Sequence, residues 1–166
     1  MPPGKMRRTD REMCQAESEE LLARALVGRI GTVGPEGMPY VLPMSFAYDP
    51  ARRTVFLHHA TRGHLLENLA HSPSACFEVD EAGDIIATGP RACDTSQAYR
   101  SVICFGRART ITDESEKEGA LRLLVRKYVD GLTPERDYDR HLTGVDTTTV
   151  IALQVEVMTG KRRSAG

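Results

Sequence analysis

Residues Gly28–Pro50, "GRIGTVGPEGMPYVLPMSFAYDP", contain two apolar runs that flank a turn. The runs predict strands over about Arg29–Val33 and Pro39–Tyr48, and the "GPEG" between them has the residue types of a tight turn. The pair is therefore a predicted β-hairpin. Because Pro43 lacks a backbone donor, the second strand should lie at a sheet edge or contain a bulge.

Further helices and strands are predicted on either side of this hairpin. The spacing of apolar residues predicts a helix over Ser18–Val27 with Ser18 as N-cap, and a helix after the cap residue Asp113 with a buried stripe of Leu121, Leu124, Val125 and Tyr128. Gly89-Pro90 should break any strand near it, and residues 131–146 should form a loop or broken helix. The remaining predictions are strands at Thr54–His58, Ser74–Asp80, Ser101–Thr112 and about 148–161, and a short helix at about Gly63–Ala70.

About seven strands and three helices follow one another through short connections. Such an order predicts a mainly β, largely antiparallel protein, a small barrel or half-open barrel with peripheral helices. A half-open barrel leaves apolar sheet surface uncovered, which a two-fold contact between identical chains would bury on both copies. We therefore expect a symmetric homodimer.

The composition is that of one ordinary globular domain. The chain has 166 residues, 40% of them hydrophobic and 27% charged, with a net charge of −1. This balance predicts no general attraction to nucleic acid or to an anionic membrane. No apolar run approaches the ~20 residues of a membrane span, and none follows the basic N-terminus as in a secretory signal. We expect a flexible arm over residues 1–17, one domain over 18–163, a tail at 164–166 and a cytoplasmic location.

The four cysteines, Cys14, Cys76, Cys93 and Cys104, form no Cys-x-x-Cys pair. Reduced, mostly buried thiols are the simplest interpretation, and the spacing gives a zinc site no support. His58 and His59 should point to opposite faces of their strand, so they should not bind one metal together. We therefore predict no metal site.

A donor-rich junction lies where the strand at Thr54–His58 gives way to the short helix, in "HHATRGH". A helix start exposes unpaired backbone N–H groups and carries partial positive charge. Gly63 allows close approach of a ligand, and Thr61, Arg62 and His64 add polar or charged donors. The segment "ATRGH" (residues 60–64) of this junction predicts a phosphate seat, although the same groups could simply face water. It contains no Gly-x-Gly-x-x-Gly and no Walker lysine, so it supports neither a Rossmann nor a P-loop assignment.

Several segments, in order, resemble the pyridoxamine 5'-phosphate oxidase-related flavoproteins, and within them the nitroimidazole-resistance (Nim) branch. "YRSV" followed by "FGRA", "EK" and "AL" is the most specific of these patterns. The histidine-ended strand before a glycine-containing turn strengthens the resemblance. The matching segments, between about Arg24 and Arg163, are "GRIGTV", "YVLPMSFAYD", "VFLHHATRGHLLENL", "CFEVDE", "YRSVICFGRARTITDESEKEGAL" and "TGKRR".

The resemblance implies an FMN-binding split barrel that forms an obligate homodimer, with FMN in clefts between the subunits. The flavin phosphate would bind at the junction, and the ring would lie along the second strand. His58 would be the catalytic residue, able to give a proton to a reduced substrate near neutral pH. The residues implied for cofactor binding are Pro43, Met44, Ser45, Phe46, His58, His59, Ala60, Thr61, Arg62, Gly63, His64, Tyr99, Arg100 and Ser101.

The leading hypothesis is an FMN-dependent oxidoreductase of the Nim type that reduces a small molecule, with a nitroaromatic as the family's named acceptor. One alternative is a flavin-binding or flavin-sensing protein without turnover. Another is a haem-binding split barrel, for which the paired histidines are the only sequence support. FAD in place of FMN is left open, as are the physiological substrate and the electron donor.

Overall fold

The computed structural model describes residues 6–129 and 147–164. Three α-helices occur in these ranges, as the sequence predicts, together with seven strands and two short 3-10 turns. The expected loop or broken helix at 131–146 lies outside the described residues. The helices are α1 Gln15–Arg24, α2 His64–His71 and α3 Glu114–Val129; the strands are β1 Gly28–Val33, β2 Pro39–Met44, β3 Phe46–Asp49, β4 Thr54–His59, β5 Ser74–Ala87, β6 Thr95–Thr110 and β7 Thr149–Arg163.

All seven strands form one antiparallel sheet in the order β2-β1-β5-β6-β7-β4-β3. The outermost strands, β2 and β3, are consecutive in the sequence and are separated only by Ser45. Met44 pairs with Gly28 of β1, whereas Phe46 pairs with Leu57 of β4. The chain thus passes from one end of the sheet to the other at Ser45, which closes the sheet into a split barrel with peripheral helices.

This arrangement corrects the single strand predicted over Pro39–Tyr48. The segment is two strands because its halves pair with different neighbours, β1 and β4. Pro43 of β2 lies opposite Arg29 of β1, and β2 pairs with β1 alone. The predicted edge position of Pro43 is therefore confirmed.

The barrel interior is filled by side chains that alternate along each strand. Phe46 and Phe77 meet there edge to face, with ring centroids 4.7 Å apart, and α1 adds Leu21 and Leu22, both fully buried. A second apolar cluster lies where α3 covers the outer face of β4 and β7, and it contains Phe56, Ile111, Ala120, Val150 and Ala152. No helix within the described ranges is long and apolar enough to cross a membrane.

The start of α1 differs from the prediction. Its first residue is Gln15, and the Cys14 N–H donates to Glu17 Oε2 at 2.9 Å. Ser18, predicted as the N-cap, is buried within the helix and donates to the Cys14 carbonyl at 3.0 Å. Met13 is also buried, so the packed domain begins upstream of the predicted boundary at residue 18. At α3, by contrast, the predicted cap is confirmed, because Asp113 Oδ1 accepts from the Glu116 N–H at 2.7 Å.

The strands β5 and β6 are longer than the sequence suggested. Pairing continues from Ser74↔Arg107 to Ala87↔Thr95, with an irregularity between Ala82 and Ile85. Gly89 and Pro90 lie in the connection between the strands, as expected of strand breakers. The extension places Tyr99, Arg100 and Ser101 inside β6, not at its beginning.

Candidate functional site

The end of β4 positions the two adjacent histidines on opposite faces of the sheet. Leu57 points into the barrel core, and Phe56 belongs to the cluster beneath α3. By alternation, His59 continues the barrel face and His58 continues the α3 face. His58 is exposed and His59 is half-buried. The expected opposite orientation of the pair is thus confirmed, and His59 is the one that adjoins the turn.

Gly63 occupies a backbone conformation that essentially only glycine adopts, with φ 142° and ψ 165°. A Cβ on Gly63 would lie 3.0 Å from His59 Cε1. His59 Nδ1 is 2.8 Å from the Ala60 carbonyl oxygen. Because a carbonyl only accepts, Nδ1 donates this bond, which leaves Nε2 as the acceptor of the neutral ring. The turn is therefore folded tightly around the imidazole of His59.

The start of α2 has no side-chain cap. The Gly63 carbonyl accepts from the N–H groups of Leu66 and Glu67 within the helix, but the first N–H groups of a helix have no intrahelical partner. At α1, Glu17 accepts from the N–H of the cap residue Cys14, and at α3 Asp113 accepts from the Glu116 N–H. An uncapped, solvent-facing helix start is a ready site for an anion.

Polar side chains surround this helix start. Thr61 and Arg62 are exposed in the turn. The His64 imidazole is also exposed, with Nδ1 3.2 Å from Glu67 Oε2 and its ring centroid 6.1 Å from that of Tyr40. The structure therefore brings His59, Ala60, Thr61, Arg62, Gly63 and His64 together as one turn. A phosphate would fit this turn, because the first amides of α2 are free, Gly63 has no Cβ and Arg62 supplies a guanidinium.

The segment implied to line the flavin ring is only partly open. Pro43 is exposed, and Met44 and Ser45 are half-buried. Phe46 is completely buried. Its N–H donates to Tyr128 Oη at 2.8 Å, and Lys127 Nζ lies 3.5 Å from its ring centroid. A ligand on this segment would meet Pro43, Met44 and Ser45, while Phe46 supports them from within.

Lys127 and Tyr128 were not identified as site residues from the sequence. Both lie in the last turn of α3 and hold the point where β2 passes into β3. Tyr128 Oη is also within hydrogen-bond distance of the carbonyls of Leu26, at 2.6 Å, and Phe46, at 3.1 Å. Burial lowers the pKa of Lys127 to about 8. The predicted helical stripe included Tyr128, and that was the only sequence signal for this contact.

Tyr99, Arg100 and Ser101 lie far from the turn within one chain. Ser101 pairs with Lys161 of β7, whereas His59 pairs with Thr149. Twelve residues of strand separate these partners, a contour of about 40 Å at ~3.3 Å per residue. Arg100 Nη2 lies 3.1 Å from Glu81 Oε2, which also pairs with Arg24. A single copy of the chain therefore does not bring the two groups of implied site residues together.

The outward face of β2, β1, β5 and β6 carries apolar side chains. Val41 is 63% exposed and Val33 is 45% exposed. They border a depression lined in part by Gly31, Cys76 and Phe105. Arg29 lies on the same face and pairs with Glu78 and Asp80. The face thus combines an apolar centre with charged groups at one side.

Comparison with known proteins gives a consistent assignment. The sequence profile of the family described as pyridoxamine 5'-phosphate oxidase matches residues 15–162. A candidate 5-nitroimidazole antibiotic resistance protein from Bacteroides thetaiotaomicron superimposes with a TM-score of 0.74 at 26% identity, covering 91% of this chain and 86% of that one. None of the curated proteins matches the chain.

Two further solved structures share the fold at lower identity. The flavocytochrome Anf3 from Azotobacter vinelandii has a TM-score of 0.81 at 24% identity, covering 96% of this chain and 72% of that one. The FAD and haem binding protein from Mycobacterium smegmatis has a TM-score of 0.78 at 22% identity, covering 93% and 74%. The profile match spans nearly the whole chain and agrees with the antiparallel split barrel. The chain belongs to the pyridoxamine 5'-phosphate oxidase family.

Proposed function

We propose that this protein binds FMN, with the flavin phosphate at the start of α2, and acts as an oxidoreductase on a small molecule. The observation that carries the proposal is the start of α2, which follows Gly63 and has no side-chain cap. Free backbone N–H groups and the adjacent Arg62 suit a phosphate dianion. The segment Pro43–Ser45 is open to a planar ring, and family membership supports flavin as that ring.

The proposed assembly is a homodimer in which each cofactor site uses both chains. Tyr99, Arg100 and Ser101 are remote from the phosphate seat of their own chain, so they would serve the seat of the second copy. The apolar outward face around Val33 and Val41 supplies a surface for an isologous contact. Burial of this face in a stable dimer should remove more than ~1,000 Å² from water.

When bound, FMN would supply the capacity to accept and donate electrons that the side chains lack. The protein would hold the phosphate, orient a planar substrate beside Pro43–Ser45 and exclude water from it. His58, exposed at the end of β4, would give a proton to the reduced substrate. A nitroaromatic is the proposed acceptor class, because one neighbour above 25% identity is a candidate nitroimidazole-resistance protein.

Rapid-mixing measurements of the two half-reactions test the proposed activity. Protein reconstituted with FMN should lose its flavin absorbance on mixing with NADH or NADPH without oxygen. It should regain the absorbance on mixing with a nitroaromatic. A protein that holds FMN but is not reduced by either nicotinamide would support the flavin-binding alternative and contradict the reductase.

Mixing two defective variants tests whether the site is shared between subunits. Arg62→Ala weakens the seat, and Ser101→Trp fills the cleft from the other side. If each site uses both chains, a mixed dimer has one doubly altered site and one intact site. Random exchange should then restore about a quarter of the FMN sites. No recovery in mixtures shown to exchange subunits would contradict a shared site.

A further inference from the structure

A second pocket lies on the outer face of β4, β7 and β6, beside the N-terminal half of α3. Its volume is about 510 Å³. Three arginines line it, Arg52, Arg107 and Arg109, and Glu116 of α3 closes one side. None of these residues belongs to the phosphate seat or to the segment proposed to line the flavin.

The strand register places the arginines on two opposing walls. Arg107 pairs with Gln154, which pairs with Thr54, and Arg109 lies two residues along β6 on the same face. Arg52 lies two residues before Thr54, the first residue of β4, on the other side of Gln154. Two strand spacings of ~4.8 Å separate β6 from β4, so the walls are about 10 Å apart. This width suits a planar ring system held between guanidinium groups.

The floor between these walls is largely apolar. Phe56 and Ala152 form the row of the sheet next to Thr54 and Gln154, and Pro73 adds a further apolar surface. The Gln154 side chain is already engaged, since its Nε2 donates to the Arg52 carbonyl at 3.0 Å. Phe56 and Ala152 themselves are almost fully buried, so the half-buried Pro73 supplies the accessible apolar surface of the pocket.

The charges around the pocket are unevenly neutralised. Arg109 Nη2 forms a close pair with Glu116 Oε1 at 2.6 Å. The ion pair of Arg52 is longer, with 3.8 Å between its Nε and Asp49 Oδ2. Arg107 has no ion-pair partner among residues 6–129 and 147–164. The pocket is thus positive on a chain whose net charge is −1. An anionic ligand would be attracted to it.

We propose that this pocket binds a small planar aromatic carboxylate. Its carboxylate would accept from Arg107 and Arg52, and its ring would lie against Pro73, above the buried Phe56 and Ala152. Guanidinium groups match carboxylates in a two-pronged geometry. Thr54 is five residues from His59 along β4, about 17 Å at ~3.3 Å per residue. The site is therefore separate from the proposed phosphate seat and does not depend on flavin binding.

Titration of the isotope-labelled full-length protein with 2-naphthoate, followed by amide NMR, tests the proposal. The amide signals of Thr54, Arg107 and Gln154 should shift most. The affinity should fall about fivefold in Arg107→Gln and about 25-fold in Arg52→Gln/Arg107→Gln, because the lost contacts are charge-assisted but solvent-exposed. The matched control is Arg7→Gln, an exposed arginine outside the pocket, which should bind 2-naphthoate normally.

The neutral analogue 2-naphthamide separates charge recognition from simple apolar contact. The amide should bind the parent weakly, and it should bind the double variant with the same weak affinity. The spectra also report directly whether each variant is folded. Shifts that centre on the α2 start or scatter over the surface would overturn the proposal. So would unchanged 2-naphthoate binding by the double variant, or equal binding of the amide and the acid.

Discussion

Replacing Gly63 with alanine perturbs the proposed phosphate seat through one added methyl group. The residue has φ 142° and ψ 165°, where a side chain costs about 1–3 kcal/mol. The new Cβ would also meet His59 Cε1 at 3.0 Å, so the imidazole or the turn must shift. Loss of one charge-assisted amide contact to phosphate, worth about 1.5–3 kcal/mol, should weaken FMN binding about 10–150-fold.

Two other glycines provide matched controls for Gly63→Ala. Gly37 has φ 77°, and no atom lies within 4 Å of the point that an added methyl group would occupy. Gly37→Ala should therefore cost about 1–2 kcal/mol of folding stability and leave FMN affinity unchanged. Gly119 lies in α3 with open space around it, and Gly119→Ala should stabilise by up to about 1 kcal/mol.

Flavin fluorescence titrations and urea denaturation of the apoprotein measure the two effects separately. Riboflavin, which lacks the phosphate, should bind Gly63→Ala and the parent with similar affinity. A Gly63→Ala protein that loses stability but binds FMN like the parent would contradict a phosphate contact at this turn. The phosphate would then lie elsewhere, and the tight turn would be a purely structural feature.

Arg62→Ala should lower FMN affinity about 10–150-fold in fluorescence titrations, with riboflavin affinity unchanged; an equal loss for both ligands would argue against a phosphate contact. His58→Ala should still bind FMN, and hydride should still reduce the bound FMN, but reoxidation by a nitroaromatic should be about 10²–10⁴-fold slower in stopped-flow traces. His59→Ala should chiefly weaken FMN binding. Equal reoxidation rates in His58→Ala and the parent would make His58 a lining residue. Burial lowers the pKa of Lys127 to about 8 from 10.5, so the unfolded chain binds more protons than the folded chain between these pH values, and folding stability should rise with pH there. The melting temperature of Lys127→Met should not show this rise, and a pH profile identical to that of the parent would contradict the role of Lys127. Light scattering should show a dimer for the parent and a monomer for Val41→Arg, which places a charge on the exposed apolar face; a dimeric Val41→Arg protein would contradict an interface at this face.

Local patterns in the sequence were enough to predict the fold class and most elements. The turn at Gly34–Gly37, the cap at Asp113 and the edge position of Pro43 are short-range features that individual residues specify. The break at Ser45 could not be predicted in this way. It exists because Met44 and Phe46 pair with strands far apart in the chain, and pairing partners are a property of the whole sheet.

The candidate site shows the same division between local and long-range information. The turn from His59 to His64 was predicted as one unit, because glycine and a helix start are visible in the sequence. The remoteness of Ser101 from that turn follows from the register of β6 on β7, which no local pattern records. The support that Lys127 and Tyr128 give to Phe46 likewise depends on where α3 packs.

Identification of the cofactor tests the central claim most directly. The protein should be purified without added cofactor, its visible spectrum recorded, and the released molecule identified by chromatography and mass spectrometry. The spectrum should show the two absorption bands of a flavin, and the released molecule should be FMN. Release of FAD would retain the flavin site and correct the cofactor. A Soret band with haem released, or failure of the colourless protein to bind added FMN, would contradict the proposed FMN site.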